Sequence, residues 1–157
     1  MRGIERMRIE RDDLSRPEVR ALLREHLQGM LKLSPPESVH ALAIEELRRP
    51  EITFWSAWQD SELLGCGALK EMNVREGEVK SMRTSAAHRG KGVARAVLSR
   101  ILQEAVDRSY ERLWLETGSS AAFEPARSLY SSFGFEYCPP FGEYVDDTHS
   151  VFMAKQL

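Results

Sequence analysis

The residues with the clearest capacity for chemistry form the run Arg89-Gly90-Lys91-Gly92-Val93-Ala94. Glycine adopts backbone conformations that other residues avoid, and it leaves no side chain between the main chain and a ligand. Apolar residues then recur with a helical period from Val93 to Val106, so the run ends where a helix begins. The unpaired N–H groups of a helix start attract anions, and Arg89 and Lys91 add positive charge. The run therefore predicts a phosphate or diphosphate loop, with a plain tight turn as the alternative.

Two familiar nucleotide-binding signatures do not fit this run. The triphosphate-binding loop ends in Gly-Lys-Ser/Thr, whereas Gly90-Lys91 is followed by Gly92. The dinucleotide-binding fingerprint needs a third glycine, and Arg95 occupies that place. A formal net charge of −2 gives no electrostatic footprint for nucleic acid or for an anionic membrane.

The elements that must position this loop follow from periodicity and turn residues. Predicted strands cover residues 7–10, 52–58, 63–69, 78–84, 112–117, 135–137 and 150–154, and predicted helices cover residues 15–31, 39–47, 93–107 and 125–133. Short turns join the second to fourth strands into an antiparallel meander, and the third helix makes the fourth and fifth strands parallel. The order β-α-α-β-β-β-α-β-α-β-β predicts an α/β protein with a mixed sheet flanked by helices.

Composition predicts a single globular domain over residues 1–157, because 157 residues with 42% hydrophobic content can form a core. Two cysteines, Cys66 and Cys138, are too few for a disulfide framework. No apolar run approaches the ~20 residues of a membrane helix, and the amino terminus is charged rather than signal-like. We therefore expect a cytoplasmic protein without a membrane or nucleic-acid partner.

Motif and element order together resemble the GCN5-related N-acetyltransferase (GNAT) superfamily and its acyl-CoA N-acyltransferase fold. The family's motif Gln/Arg-x-x-Gly-x-Gly/Ala is matched by Arg89–Ala94, between the fourth strand and the third helix. A second motif, Asn-x-x-Ala-x-x-Leu-Tyr-x-x-x-Gly-Phe, is matched at Ala126, Leu129, Tyr130, Gly134 and Phe135, with Phe123 in place of the Asn. Residues 133–144 and 34–40 further resemble a subgroup of small bacterial acetyltransferases whose substrates are mostly unassigned.

The resemblance implies acetyl-CoA as the acetyl donor and no metal. The diphosphate of the cofactor is expected across the N–H groups of Arg89–Ala94. The pantetheine arm is expected to pair with the main chain of Met82, Arg83 and Thr84, in a groove where the fourth and fifth strands splay apart. Phe123, Ala126 and Tyr130 are expected to line the same groove.

The implied reaction is attack of an amine on a thioester, which needs a base, an oxyanion donor and an acid. Tyr130 holds the family's tyrosine position and is the predicted acid. Glu78 is the predicted base, eleven residues before Arg89, and strand alternation predicts that Glu78, Lys80, Met82 and Thr84 share one face. Glu116 and a water relay are the alternatives for the base.

The acceptor is the least determined component. Glu116, His40, Phe141 and Tyr144 are the candidates for its site, with Phe141, Tyr144 and Phe123 as an apolar wall. We expect a small-molecule amine. The alternatives are a protein or peptide acceptor and a non-catalytic acyl-CoA-binding regulatory module, which the presence of Tyr130 disfavours. The resemblance makes a homodimer reasonable.

Overall fold

The computed structural model describes residues 6–157 and contains the predicted order of seven strands and four helices. The charged amino-terminal residues 1–5 lie outside the described part. The strands are β1 (Arg8–Arg11), β2 (Ile52–Gln59), β3 (Glu62–Asn73), β4 (Glu76–Thr84), β5 (Arg112–Gly118), β6 (Glu136–Cys138) and β7 (Ser150–Gln156). The helices are α1 (Pro17–Leu33), α2 (Ile44–Leu47), α3 (Val93–Asp107) and α4 (Glu124–Ser132).

The strands form one mixed sheet in the order β1-β2-β3-β4-β5-β7-β6. The neighbours β4 and β5 are parallel, as the crossover through α3 requires, and the other neighbours are antiparallel. The parallel pairing runs only from Glu76 opposite Arg112 to Glu78 opposite Trp114. Beyond this point β4 and β5 diverge, so the predicted splay is confirmed.

Both faces of the sheet are covered. Helices α3 and α4 pack on one face, whose core includes Trp55 and Ile101, and we call it the α3 face. Helices α1 and α2 pack on the other, whose core includes Trp58 and Leu22, and we call it the α1 face. Strand alternation sends Trp55 and Trp58 to opposite faces. Both tryptophans are buried, because each face of the sheet has its own core.

A β-bulge in β4 changes which side chains share a face. Ser81 has a φ of 56°, and the β3–β4 register moves from Ala68 opposite Lys80 to Cys66 opposite Arg83. Alternation therefore restarts at the bulge. The prediction of a common face for Glu78, Lys80, Met82 and Thr84 is wrong, because the Met82 side chain packs beside α3 and the Arg83 side chain lies against α1.

The amino-terminal helices differ from the sequence prediction. Residues 39–47 were expected to be helical, but only Ile44–Leu47 form a helix. A 3₁₀ turn at Pro36–Ser38 and an extended segment precede it. Helix α1 starts without a side-chain cap, because the Ser15 hydroxyl donates to Asp13 instead. The extended segment leaves residues 38–41 free to line a cavity.

Candidate active site

A cavity of about 770 Å³ occupies the splay between β4 and β5. We call the part lined by the loop before α3, the first turn of α3 and the α4 segment the α3 half. We call the part lined by α1, residues 38–41 and the side chains on the α1 face of β4 and β5 the α1 half. Both halves meet where the two strands separate. Through this gap in the sheet, side chains on its two faces line one continuous cavity.

The glycine loop has the geometry of an anion site. Gly90 and Gly92 have φ values of 77° and 85°, in the region that glycine adopts at low cost. Gly92 is the N-cap of α3 and supplies no side-chain hydrogen bond to the helix start. The first N–H groups of α3 therefore have no partner within the helix, and Val93, Ala94 and Arg95 line the cavity.

The basic side chains near the loop divide between the cavity and the surface. Arg89 and Arg95 line the α3 half. The Arg95 guanidinium lies 5.0 Å from the centroid of the Phe133 ring and donates to Ser132 Oγ at 3.1 Å, which fixes its direction. Lys91 does not line the cavity; its Nζ lies 3.3 Å from His88 Nδ1. The sequence indicated Lys91 and missed Arg95, which stands within the helical period.

The edge of β4 beyond Glu78 presents unpaired main-chain groups to the cavity. Met82, Arg83 and Thr84 line the cavity and have no strand partner on the β5 side. In a sheet, such an edge can pair with an extended ligand. This is the location that the sequence predicted for an extended arm.

Helix α4 places Tyr130 in the α3 half. Its side chain is buried, and its ring packs edge-on against Phe135 with 5.9 Å between centroids. Burial, with the charge of Glu116 as a second cause, raises the pKa of Tyr130 well above its usual value. The phenol therefore keeps its proton at neutral pH. Phe123 and Ala126 line the same half, and the Phe123 ring packs so closely on Gly118 that a Cβ there would overlap it.

Strand β5 brings Glu116 to the α1 half, opposite Tyr130 across the gap. Burial raises the pKa of Glu116 above its usual value. A carboxyl group with a raised pKa is a stronger base when it is ionised. Perturbed carboxyl groups of this kind in a cavity mark candidate functional sites.

Glu78, in contrast, is hydrogen-bonded in a network with Lys80 and Tyr144. The residue is 4% exposed, and its Oε2 accepts a hydrogen bond from the Tyr144 hydroxyl at 2.6 Å and one from Lys80 Nζ at 3.1 Å. Lys80 also donates to the Tyr144 hydroxyl at 3.0 Å. Glu78 and Lys80 both line the cavity, so the network forms part of its wall.

Two predicted acceptor-site residues do not reach the cavity. Phe141 packs within an aromatic cluster, with ring centroids 5.1 Å from Trp114 and 5.0 Å from Tyr144. Tyr144 also stands outside the lining and acts through its bond to Glu78. Phe141 and Tyr144 were predicted to wall the site, but the carboxy-terminal loop packs their rings onto β5 and β7, behind the residues that line the cavity. His40 does line the cavity, edge-on to Tyr144.

Metal sites and membrane helices are absent from the part of the chain that the structure describes. Among residues 6–157, no three His, Cys, Asp or Glu side chains converge as metal ligands would. No helix within the same range is long and apolar enough to cross a bilayer.

Comparison with known proteins identifies the family. The sequence model of the acetyltransferase (GNAT) family matches residues 17–135. The chain is 62% identical over 151 residues to the uncharacterized N-acetyltransferase YsnE of Bacillus subtilis, covering 96% of this chain and 100% of the relative. It is 48% identical to the uncharacterized N-acetyltransferase YedL of Escherichia coli, covering 95% and 94%.

Solved structures agree with the sequence comparisons. A Klebsiella pneumoniae protein described as an acyl-CoA N-acyltransferase superimposes with a TM-score of 0.76 at 26% identity, covering 97% of this chain and 98% of the other. A GNAT family acetyltransferase from Elizabethkingia anophelis, solved with acetyl-CoA bound, gives a TM-score of 0.68 at 16% identity, covering 98% and 99%. Fold, motifs and relatives agree that this chain belongs to the GNAT family of N-acetyltransferases.

Proposed function

We propose that the protein transfers the acetyl group of acetyl-CoA to the primary amine of a small molecule. The observation that carries this proposal is the pair Tyr130 and Glu116. The two side chains line one cavity from opposite faces of the sheet, where β4 and β5 separate. An acid on one side of the gap and a base on the other suit transfer between two substrates that enter from different sides.

The α3 half fits the donor. The unpaired N–H groups at the start of α3 hold the diphosphate, and Arg89 and Arg95 add charge. The free edge of β4 at Met82, Arg83 and Thr84 pairs with the pantetheine arm. When bound, acetyl-CoA supplies the thioester whose carbonyl carbon forms the new C–N bond as its C–S bond breaks. The acetyl-CoA bound to the Elizabethkingia relative supports this choice of donor.

Tyr130 is the general acid in this proposal. Its phenol is protonated at neutral pH and lines the α3 half, so it gives its proton to the departing sulfur. A main-chain N–H of β4 near Met82 donates to the developing oxyanion.

Glu116 is the base that we favour. It lines the α1 half without a lysine partner, and its raised pKa suits removal of a proton from the incoming ammonium group. Glu78, the base expected from the sequence, already accepts hydrogen bonds from Lys80 and Tyr144. We assign Glu78 the task of holding Lys80 beside the cavity.

A small acceptor is favoured over a protein by the shape of the α1 half. Residues 38–41 and helix α1 wall this part of the cavity. The Ser38 hydroxyl donates to Asp147, which ties residues 38–41 to the carboxy-terminal loop. A protein chain would need a more open groove.

The test is release of free thiol from acetyl-CoA across a panel of small amines, with and without Tyr130→Phe. We expect turnover with some amines and a kcat about 10²-fold lower for Tyr130→Phe, with the affinity for acetyl-CoA retained. Tight cofactor binding without turnover of any amine would favour the regulatory module instead. An unchanged rate for Tyr130→Phe, with chemistry rate-limiting, would limit Tyr130 to packing.

A further inference from the structure

Arg83 has two separate relations to the cavity. Its main chain lies on the free edge of β4, whereas its side chain points to the α1 face because the bulge at Ser81 restarts the alternation. The guanidinium lies against α1, where Nη2 donates to Glu25 Oε1 at 3.1 Å. The side chain therefore belongs to the α1 half, although the main chain belongs to the donor's groove.

The guanidinium retains capacity for another partner. Its Nε is buried and has no hydrogen-bond partner within residues 6–157. Its ion pair with Glu25 is weakly held, because the Glu25 side chain is 53% exposed. A buried donor without an acceptor is costly, and a guanidinium is a planar fork that matches a carboxylate. The side chain is thus suited to an anion that enters the cavity.

The neighbours of Arg83 leave this anion site open. Gly29 interrupts the helical residues of α1, and a Cβ there would lie 3.6 Å from Arg83 Nη1. A Cβ at that distance makes an ordinary contact, so only a side chain longer than that of alanine would fill the space beside the guanidinium. Beside it, His26 is buried and uncharged at neutral pH, because burial first and the charge of Arg83 second lower its pKa to about 4. Lys80 is paired with Glu78, whereas the Arg83 guanidinium keeps a donor that has no partner within residues 6–157.

Resting on the proposed function, we infer that the acceptor amine carries a carboxylate group, which the guanidinium of Arg83 receives in the α1 half of the cavity. The amine of the same molecule then faces Glu116 and the gap. Amines of the amino-acid type have both groups. Simple alkylamines and polyamines lack the anion and leave Arg83 without its second partner.

The test uses matched pairs of acceptors that differ only in the carboxylate. Alanine and phenylalanine are compared with their α-carboxamides, and kcat/KM is measured by thiol release. We expect the free acid of the best pair to be preferred by about 10- to 100-fold, the range for a charge-assisted hydrogen-bonded pair. Arg83→Gln should bring the ratio close to one. The ratio compares two substrates of one variant, so any loss of folded protein cancels.

Two further variants separate binding from structure. Glu25→Gln removes the other partner of Arg83 and should keep the full preference for the acid. Arg83→Lys keeps the charge without the fork and should retain only part of the preference. Equal rates for acid and amide in the wild type, or a preference that survives Arg83→Gln, would overturn the inference. Equal loss of the preference in Glu25→Gln and Arg83→Gln would make the pair structural and also overturn it.

A final set of experiments distinguishes a small-molecule acceptor from a peptide acceptor. It also distinguishes failure of the proposed function from failure of the anion site. A peptide with a free amino terminus, an acidic second residue and an amidated carboxy terminus tests a macromolecular source, and we expect it to be a poor acceptor. If no amine turns over, the proposed function fails. Calorimetric titration of N-acetylalanine against its amide then decides the anion site alone: Arg83-dependent binding of the acid supports it, and equal binding refutes it.

Discussion

The two halves of the cavity recognise their ligands by different means. The α3 half uses main-chain groups of one short loop, Arg89–Ala94, and the free edge of β4. The α1 half is lined by side chains that distant parts of the chain bring together: His26 from α1, His40 from residues 38–41, and Glu116 from β5.

This difference has a physical consequence for specificity. Main-chain N–H groups are the same whatever the side chains are, so a main-chain cradle keeps its ligand while the sequence changes. A site built from side chains changes its ligand with each substitution. On the proposed function, donor recognition therefore falls to the α3 half and choice of acceptor to the α1 half. The bulge at Ser81 joins the two, because it places the main chain and the side chain of Arg83 in different halves.

The largest expected effect is on the main-chain cradle. Gly92→Asp adds a carboxylate beside the diphosphate, and a repulsion of about 4 kcal/mol at 4 Å and intermediate polarity weakens acetyl-CoA binding by about 10²- to 10³-fold. Gly92→Asn is the matched control, because asparagine has nearly the same shape, tolerates a positive φ and caps a helix. Calorimetry should find the Asn variant within about tenfold of the wild type. Similar affinities for Asp and Asn would place the diphosphate elsewhere.

The next effect compares the two carboxylates of the α1 half. Glu116→Gln should lower kcat by about 10²-fold, because it removes the proposed base. It should also raise the melting temperature at neutral pH. The folded pKa of Glu116 lies above the unfolded one, so its ionisation destabilises the native state as pH rises, and glutamine removes that penalty. The gain should vanish at acid pH, where Glu116 is protonated in both states.

Glu78→Gln should show the opposite combination, a lower stability with a largely retained kcat. It leaves Lys80 without its carboxylate in a buried setting, which costs about 3 kcal/mol of unfolding free energy. The kcat of folded Glu78→Gln should stay within about tenfold of the wild type, because the substitution shifts residues in the cavity wall and does not remove the base. Thermal melts and single-turnover rates check both variants. A larger rate loss in Glu78→Gln than in Glu116→Gln would return the role of base to Glu78.

The sequence predicted the α3 half well because that half is local. The glycines, the helical period after Val93 and the position of Tyr130 in α4 are all visible within short windows. The order of elements also followed from short turns and one crossover, whereas the splay was implied by the family resemblance. Arg95 was missed there and Lys91 does not line the cavity, since neither a helical pattern nor a loop shows which basic side chain faces a ligand.

The α1 half was predicted less well because it depends on tertiary packing. Alternation along β4 assumed a regular strand, and a single positive φ at Ser81 reversed the faces beyond it. Phe141 and Tyr144 lie in a loop whose path depends on aromatic packing against Trp114 and Phe152 and on the hydrogen bonds of Tyr144 to β4. Gly29 has no periodic signal, although it lines the cavity. Its role is visible only beside Arg83.

A smaller effect should be confined to the α1 half. Gly29→Leu fills space beside the Arg83 guanidinium and should raise the acceptor KM by about tenfold, while acetyl-CoA affinity is unchanged. Gly29→Ala is the control. Its Cβ makes an ordinary contact at 3.6 Å, and alanine favours the helix by about 1 kcal/mol, so activity should persist with a higher melting temperature. A loss of acetyl-CoA binding in Gly29→Leu would show that the halves are not independent.

The smallest expected effect concerns the buried histidine of the α1 half. His26 has a folded pKa of about 4, below the ordinary 6.5, so the unfolded chain binds its proton first as pH falls. The stability that neutral His26 contributes is therefore fully present above pH 6.5, the ordinary pKa of histidine, and is lost as the pH falls below it. From about pH 7 to about pH 5.5 the loss is about 1 kcal/mol of unfolding free energy, and His26→Leu should remove that share of the acid dependence.

The control is the exposed His149. The variant His149→Leu should leave the acid dependence of stability unchanged. Denaturant unfolding at the two pH values measures the difference. An acid dependence of His26→Leu equal to that of the wild type would mean that His26 is protonated in the native state, and that the α1 half admits more water than its burial implies.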